Sequence, residues 1–96
     1  MATLIEALTL AVEHHRAGRL AEAEVLYGRI LDADPENATA LHLLGVLLAG
    51  RGEDADAAAL IARSIAADGG DANAHYNLAT ILERLGRTAQ AEAGYR

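Results

Sequence analysis

The sequence predicts an all-α protein built as a stacked array of helical pairs. Glycines recur 34 residues apart, at Gly18, Gly52 and Gly86, and a fixed period of this length is typical of arrays whose units are single supersecondary elements. Alanine accounts for 23 of the 96 residues, whereas phenylalanine and tryptophan are absent and proline occurs once. Alanine and leucine are strong helix formers, so the composition favours helices throughout.

The first unit is predicted to contain two helices separated by Gly18. Thr3 and Glu6 have the spacing of a capping box, which begins a helix after Thr3. Gly18 ends that helix, because glycine readily takes the positive φ of a helix C-terminus. A second helix is predicted over residues 20–33, and it ends before Pro35 because proline disfavours helix in the residue that precedes it.

The second unit repeats this arrangement. Asn37 is expected to cap a helix over residues 38–49, since asparagine is a preferred N-cap residue. The turn at Gly52 separates it from a helix that begins at residue 53 or 54 and ends near residue 67.

The third unit is predicted to begin with Asp71 as the cap of a helix over residues 72–85. By analogy with the two earlier glycines, Gly86 should end that helix, and Thr88 should cap a sixth helix that continues to the end of the chain. The joint before this unit holds Gly69 where the previous joint has proline, so we expect it to be the looser of the two.

Small residues recur where neighbouring helices should touch. Bulky side chains at these positions would hold the helices apart, and so their absence predicts close packing. The small positions are Ala11, Gly45 and Ala79 on the first helices and Ala23, Ala57 and Ala91 on the second helices. The larger core positions of the second helices are Tyr27, Ile61 and Tyr95.

Charge and composition exclude several classes of function. The net charge is −6, with eight arginines and no lysine, which argues against nucleic acid as a partner because phosphate binding rests on basic residues. There is no cysteine for a thiolate nucleophile or a Cys-based zinc site. We therefore predict a cytoplasmic protein with no membrane partner and no cofactor.

Residues in strict 34-residue phase carry a family resemblance. The segments Leu43-Leu44-Gly45, Asn77-Leu78-Ala79 and Asp34-Pro35, together with the turn glycines, resemble the tetratricopeptide repeat family. The resemblance covers one domain over residues 1–96, with repeats at about 4–37, 38–71 and a truncated 72–96. It implies a right-handed superhelix, an α-solenoid whose first helices line a concave groove.

The resemblance implies that the groove binds a protein or peptide ligand. It places the binding residues on the inner face of the first helix of each repeat. The candidate binding residues are Leu8, Val12, His42, Leu43, Val46, Asn73, Tyr76, Asn77, Thr80 and Arg84. The other positions on the same side are Ile5, Thr9, His15, Arg16, Thr39, Ala49 and Glu83.

Two ligand-binding arrangements of the family can be compared with these residues. The clamp that holds a peptide carboxylate in some members is missing, because the chain has no lysine and carries Leu8, Thr9 and Leu43 at the corresponding sites. The asparagine ladder of O-linked N-acetylglucosamine transferases is represented only by Asn77, which could begin such a ladder.

Three functions remain open from the sequence. The leading interpretation is a non-catalytic protein–protein interaction module, and the alternative is an N-terminal regulatory or substrate-recruiting arm of a larger enzyme such as a glycosyltransferase. The third is a self-associating structural module. Glu6 and Glu13 occupy positions where an earlier repeat would dock, so the first repeat is expected to be an outer cap. The last helix would be uncapped, which permits a homodimer.

The polar residues give little support for catalysis. His14 and His15 are adjacent and point about 100° apart on a helix, so they cannot share a metal as an i, i+4 pair can. His42 and His75 fall on different helices, and no base is placed to activate Ser64. We expect no catalytic or metal site and interpret these side chains as packing or surface residues.

Overall fold

The computed structural model describes the backbone of residues 3–94 and the side chains of residues 3–89. This part of the chain contains five α-helices and no strand. They are α1 (Leu4–Arg16), α2 (Leu20–Ala33), α3 (Ala38–Gly50), α4 (Asp54–Ala67) and α5 (Ala72–Gly94). Each helix packs against the next one along the chain, and α3 also contacts α5, in a body of 55 × 28 × 20 Å. The predicted all-α solenoid is confirmed.

The first helix of each repeat begins at a side-chain cap. The Thr3 hydroxyl accepts a hydrogen bond from the backbone N–H of Glu6, at 3.1 Å, and the Asn37 side chain accepts from the N–H of Ala40, at 2.9 Å. The Asp71 carboxylate accepts from the N–H of the second residue of α5, at 2.9 Å. All three predicted caps are confirmed, and each satisfies a backbone donor that the helix leaves unpaired.

The first two repeats close through glycine turns of the same geometry. Gly18 and Gly52 have φ angles of 82° and 83°, in the left-handed region that other residues rarely adopt. The N–H of Arg19 donates to the carbonyl of His14, at 2.9 Å, and the equivalent bond lies 34 residues later. Each turn therefore reverses the chain within a few residues, and the second helix returns along the first.

The third repeat does not close in this way, and the prediction of a sixth helix is wrong. Helix α5 runs through Gly86 and Thr88 to Gly94, and Gly86 is not among the glycines of positive φ. Residues 87–94 include no leucine, isoleucine, valine or aromatic residue, so a returning helix would have little apolar surface to bury. Continuing the helix retains its backbone hydrogen bonds, and a glycine inside it costs only about 1 kcal/mol.

Two apolar clusters form the interior, and Leu48 packs against both. The first cluster joins the first repeat to α3, and the second joins α4 to α5. The buried residues of the first cluster are Ala11, Ala23, Tyr27, Ile30, Ala40 and Leu47. Those of the second are Ala57, Ile61, Ala74 and Ile81.

Small residues do set the spacing of the paired helices, with one exception. A Cβ added at Gly45 would lie 2.6 Å from Cγ1 of Ile61, so α3 and α4 approach too closely for a side chain there. Ala11, Ala23 and Ala57 are fully buried, as predicted. Ala79, however, is exposed, because the returning helix that it was expected to contact is absent. The predictions for Ala91 and Tyr95 concern side chains outside the described residues.

The joint between the second and third repeats is held by polar contacts. The His75 ring nitrogen Nε2 lies 2.9 Å from the carbonyl oxygen of Gly69, and the N–H of Gly70 donates to the Asp68 carboxylate, at 3.0 Å. Side chain to backbone bonds of this kind fix a turn without proline. In α4, the buried Ser64 hydroxyl donates to the carbonyl of Ala38, at 2.7 Å, which gives it a structural partner.

Candidate peptide-binding groove

A pocket lies between α1 and α3, and we call it the first pocket. Its volume is about 350 Å³. Its lining comes from the last turns of α1, the middle of α3 and one residue of α2. The lining residues are Val12, His15, Arg16, Tyr27 and Leu43.

A smaller pocket, the second pocket, lies between α3 and α5 and has a volume of about 120 Å³. It forms where the last turns of α3 meet the first half of α5. Each pocket is therefore lined by the first helices of two neighbouring repeats. The lining residues are Val46, Ala49, Tyr76, Asn77, Thr80, Ile81 and Arg84.

The structure brings most of the candidate residues to these two pockets. Two of the ten line the first pocket and five line the second. His42 is buried and lines neither pocket, but its ring contacts Asn77. Leu8 packs against the first core cluster, and Asn73 is exposed in the first turn of α5. These last two residues are therefore separated from the pockets.

A chain of three polar side chains joins the second repeat to the third. His42 Nδ1 lies 3.3 Å from a carboxylate oxygen of Asp71, and its Nε2 lies 2.9 Å from the amide nitrogen of Asn77. A carboxylate can only accept, so Nδ1 of a neutral ring donates to Asp71. Nε2 then accepts from the Asn77 amide, which fixes the orientation of that side chain at the edge of the second pocket.

A second histidine, His15, contacts the tyrosine that α2 contributes to the first pocket. His15 Nδ1 lies 3.0 Å from the hydroxyl of Tyr27, which is fully buried. Burial lowers the pKa of His15 and raises the pKa of Tyr27, so both groups are neutral at pH 7. Since the described residues offer the Tyr27 hydroxyl no other acceptor, it donates to Nδ1, and the ring proton of His15 sits on Nε2.

The charged residues of the groove differ in whether they are paired. Arg84 makes a two-point contact with Asp54, at 2.7 and 3.2 Å, and Glu83 pairs with Arg87. Arg16 has no ion-pair partner among the described residues. Among the described charged residues that line the two pockets, Arg16 is therefore the one without an ion-pair partner.

Three of these contacts have no direct signature in the sequence. Asp54 and Asp71 were interpreted as helix-start residues, and each also holds a groove side chain from a neighbouring helix. The contact of Tyr27 with His15 was also missed, since Tyr27 was predicted only as core. The 34-residue register could have indicated the contact between Asp54 and Arg84. It places the start of α4 beside the end of the first helix of the next repeat.

A larger cavity lies outside the groove, between α1 and α2, with a volume of about 420 Å³. Its lining includes Leu10, His14 and Val25. In the second repeat, the residues equivalent to Leu10 and His14 are Leu44 and Leu48, and both pack against the first core cluster. The cavity therefore occupies the surface on which one repeat stacks against another, and size alone does not identify it as a binding site.

The described residues contain no constellation that suggests catalysis. No group of three histidine, aspartate or glutamate side chains within them lies close enough to hold a metal. The buried polar nitrogens and oxygens in this part of the chain all have hydrogen-bond partners. None of its helices combines the length and apolar character needed to cross a membrane.

Comparison with known proteins agrees with this architecture. Two family models described as tetratricopeptide repeat match the chain, one over residues 14–73 and the other over residues 60–93. The chain belongs to the tetratricopeptide repeat family. Such repeats are scaffolds for protein–protein interaction, and this general role follows from the family.

One solved structure extends the comparison to a larger protein. The tetratricopeptide repeat chain is similar to a mutant of the Thermobaculum terrenum O-GlcNAc transferase, with 38% sequence identity and a TM-score of 0.80. The match covers 85% of this chain but only 17% of the transferase chain. No match was found among curated proteins.

Proposed function

We propose that this tetratricopeptide repeat chain is a non-catalytic interaction module that binds a peptide along the two pockets between its first helices. The observation that carries the proposal is the alignment of both pockets on α1, α3 and α5. A ligand lying across these helices would contact all three repeats, and a groove of this kind suits an extended peptide or a helix.

The second pocket offers the features of a binding hot spot. The Tyr76 side chain is 72% exposed at its edge, and an exposed tyrosine supplies a large contact area with a polar tip. Asn77 lies beside it with its amide held by His42. A fixed amide can bond to a peptide backbone without first losing conformational freedom, which favours affinity.

Selection of peptides displayed on phage against the immobilised chain tests this proposal. The affinity of a selected peptide is then measured by calorimetry for the wild type and for Tyr76→Ala, with Val25→Ala, at the cavity between α1 and α2, as the control. We expect Tyr76→Ala to weaken binding about tenfold or more, the range of a hot-spot truncation. Equal affinities for the wild type and Tyr76→Ala, or loss only with Val25→Ala, would reject the groove.

The second candidate is a recruiting arm of a larger enzyme such as a glycosyltransferase. The observation that favours it is the similarity to 17% of the O-GlcNAc transferase chain. The reading frame that follows the codon for Arg96 tests it. An in-frame transferase domain would support this candidate, and a stop codon at that point would reject it.

Self-association is the third candidate, favoured by the exposed Leu82 side chain of α5. Sedimentation over a concentration series should then show a dimer that Leu82→Glu dissociates. A chain that stays monomeric at high concentration would exclude it.

A cytoplasmic location stays a prediction from the cysteine-free composition.

A further inference from the structure

We propose that the first pocket binds an aliphatic side chain of an internal peptide segment whose adjacent aspartate or glutamate carboxylate is held by Arg16 and by the Nε2–H group of His15. This inference rests on the proposed function and specifies the chemistry of the peptide. It concerns the half of the groove between α1 and α3, away from Tyr76 and Asn77.

The apolar part of the pocket fits one branched side chain. Val12 of α1, Leu43 of α3 and Tyr27 of α2 line the apolar part of the pocket. Val12 and Leu43 are partly exposed, so they have apolar surface that a ligand can cover. A volume of about 350 Å³ accommodates a leucine or isoleucine side chain with part of its backbone. Burial of such a side chain is the main source of affinity in a groove of this type.

The polar part of the pocket consists of donors. Because the Tyr27 hydroxyl donates to Nδ1 of His15, the ring carries its proton on Nε2. Nε2 of His15 has no hydrogen-bond partner among the described residues. Every buried side-chain nitrogen in this part of the chain does have a partner. Nε2 is therefore not buried, and a ligand can reach it. The Arg16 guanidinium adds further N–H groups from the next position of α1, and no ion pair engages them within the described chain.

This set of donors distinguishes a carboxylate from other ligand groups. An arginine guanidinium and a neutral imidazole N–H both lack an acceptor, so a ligand amine would find no partner in them. A carboxylate accepts from both and also compensates the charge of Arg16. The other arginine of the groove, Arg84, is already neutralised by Asp54. A carboxylate ligand is therefore directed to the first pocket and away from the second.

Four matched octapeptides test the inference by fluorescence polarisation with the full chain. Two carry an internal Leu-Asp or Leu-Asn pair, and two end in leucine with a free or an amidated carboxyl terminus. The first pair tests a side-chain carboxylate and the second pair tests a terminal one. We expect the Leu-Asp peptide to bind about tenfold more tightly than the Leu-Asn peptide, the effect of 1.4 kcal/mol. A preference confined to the pair with the free and amidated carboxyl terminus would overturn the inference.

Variants of one arginine supply the matched controls. Arg16→Gln should abolish the preference, and Arg16→Glu should reverse it toward a Leu-Lys peptide. Arg29→Gln makes the same change of charge at the cavity between α1 and α2 and should leave the preference intact. Arg16 is exposed, so neither change at that position should unfold the chain.

The outcomes separate this inference from the proposed function. Equal binding of all four peptides, weakened by Tyr76→Ala, would overturn the inference and leave the groove as the binding site. Failure of all four to bind would also overturn it, whereas the phage selection decides independently whether the groove binds any peptide.

Discussion

The two halves of the groove are held together by different interactions. In the first half, α1 and α3 meet over a cluster that contains the bulky Tyr27, Ile30 and Leu47 side chains. In the second half, the second apolar cluster also lies between the helices, and polar bridges from His42 and Arg84 connect α5 to the second repeat. The groove side chains of the first half therefore rest on apolar packing, whereas polar bridges between repeats also hold those of the second half.

The two tyrosines of the described chain should show the largest contrast. Tyr27→Ala removes a fully buried side chain and should lower the free energy of unfolding by about 3–5 kcal/mol. Tyr76→Ala removes an exposed side chain and should change the free energy of unfolding by at most about 0.5 kcal/mol. Urea denaturation measures both values. Similar losses for the two variants would contradict the assignment of one tyrosine to the core and the other to the groove.

Two glycine substitutions test the close packing that supports the second half. Gly45→Ala places a Cβ 2.6 Å from Cγ1 of Ile61 and 3.2 Å from the carbonyl oxygen of Ala57. Overpacking of this kind should destabilise the chain by about 1–3 kcal/mol. Gly28→Ala, in the open on α2, should instead stabilise it by about 0.5–1 kcal/mol through helix propensity. Thermal melts compare them, and a stabilising Gly45→Ala would show that α3 and α4 lie further apart.

Loss of the His42 bridge should affect the third repeat more than the first. His42→Leu leaves Asp71 and Asn77 without their shared partner and should destabilise the chain by about 1–2 kcal/mol. Amide hydrogen exchange should become faster in the first turns of α5 and stay unchanged in α1 and α2. Equal acceleration in all five helices would mean that His42 acts as an ordinary core residue.

The smallest expected effect is the contribution of His15 to the pH dependence of the free energy of unfolding. Burial lowers the pKa of His15 in the folded chain below the 6.5 of the free side chain. The unfolded chain therefore binds a proton more readily, and stability is lost as the pH falls through 6.5 toward the lower folded value. His15→Gln should reduce this slope in urea titrations between pH 7.5 and 5. An unchanged slope would indicate that His15 is solvated as in the unfolded chain.

Most of the fold could be predicted because it follows local rules that the sequence repeats. The caps at Asn37 and Asp71 and the turns at Gly18 and Gly52 each depend on a few neighbouring residues. Gly86 shows the limit of this reasoning, since the same residue in the same register continues a helix when residues 87–94 supply no large apolar side chain. A turn glycine permits a reversal of the chain, but burial of a second helix decides whether the reversal occurs.

The candidate site was less predictable than the fold. The helical register placed Val46, Tyr76 and Thr80 on one side, and the structure brings them to one pocket. The register could not show that Arg84 is paired with Asp54 while Arg16 has no ion-pair partner within the described residues. Ion pairing depends on how helices from different repeats are placed. The contrast between the two halves of the groove therefore emerges only from tertiary contacts.

Nuclear magnetic resonance mapping of a phage-selected peptide distinguishes the groove from the rest of the surface in one titration. We expect the peptide to shift the backbone amide signals of Val12, Leu43, Val46, Tyr76 and Asn77, which line the two pockets. Shifts confined to Ala21, Val25 and Arg29, around the larger cavity between α1 and α2, would contradict this expectation.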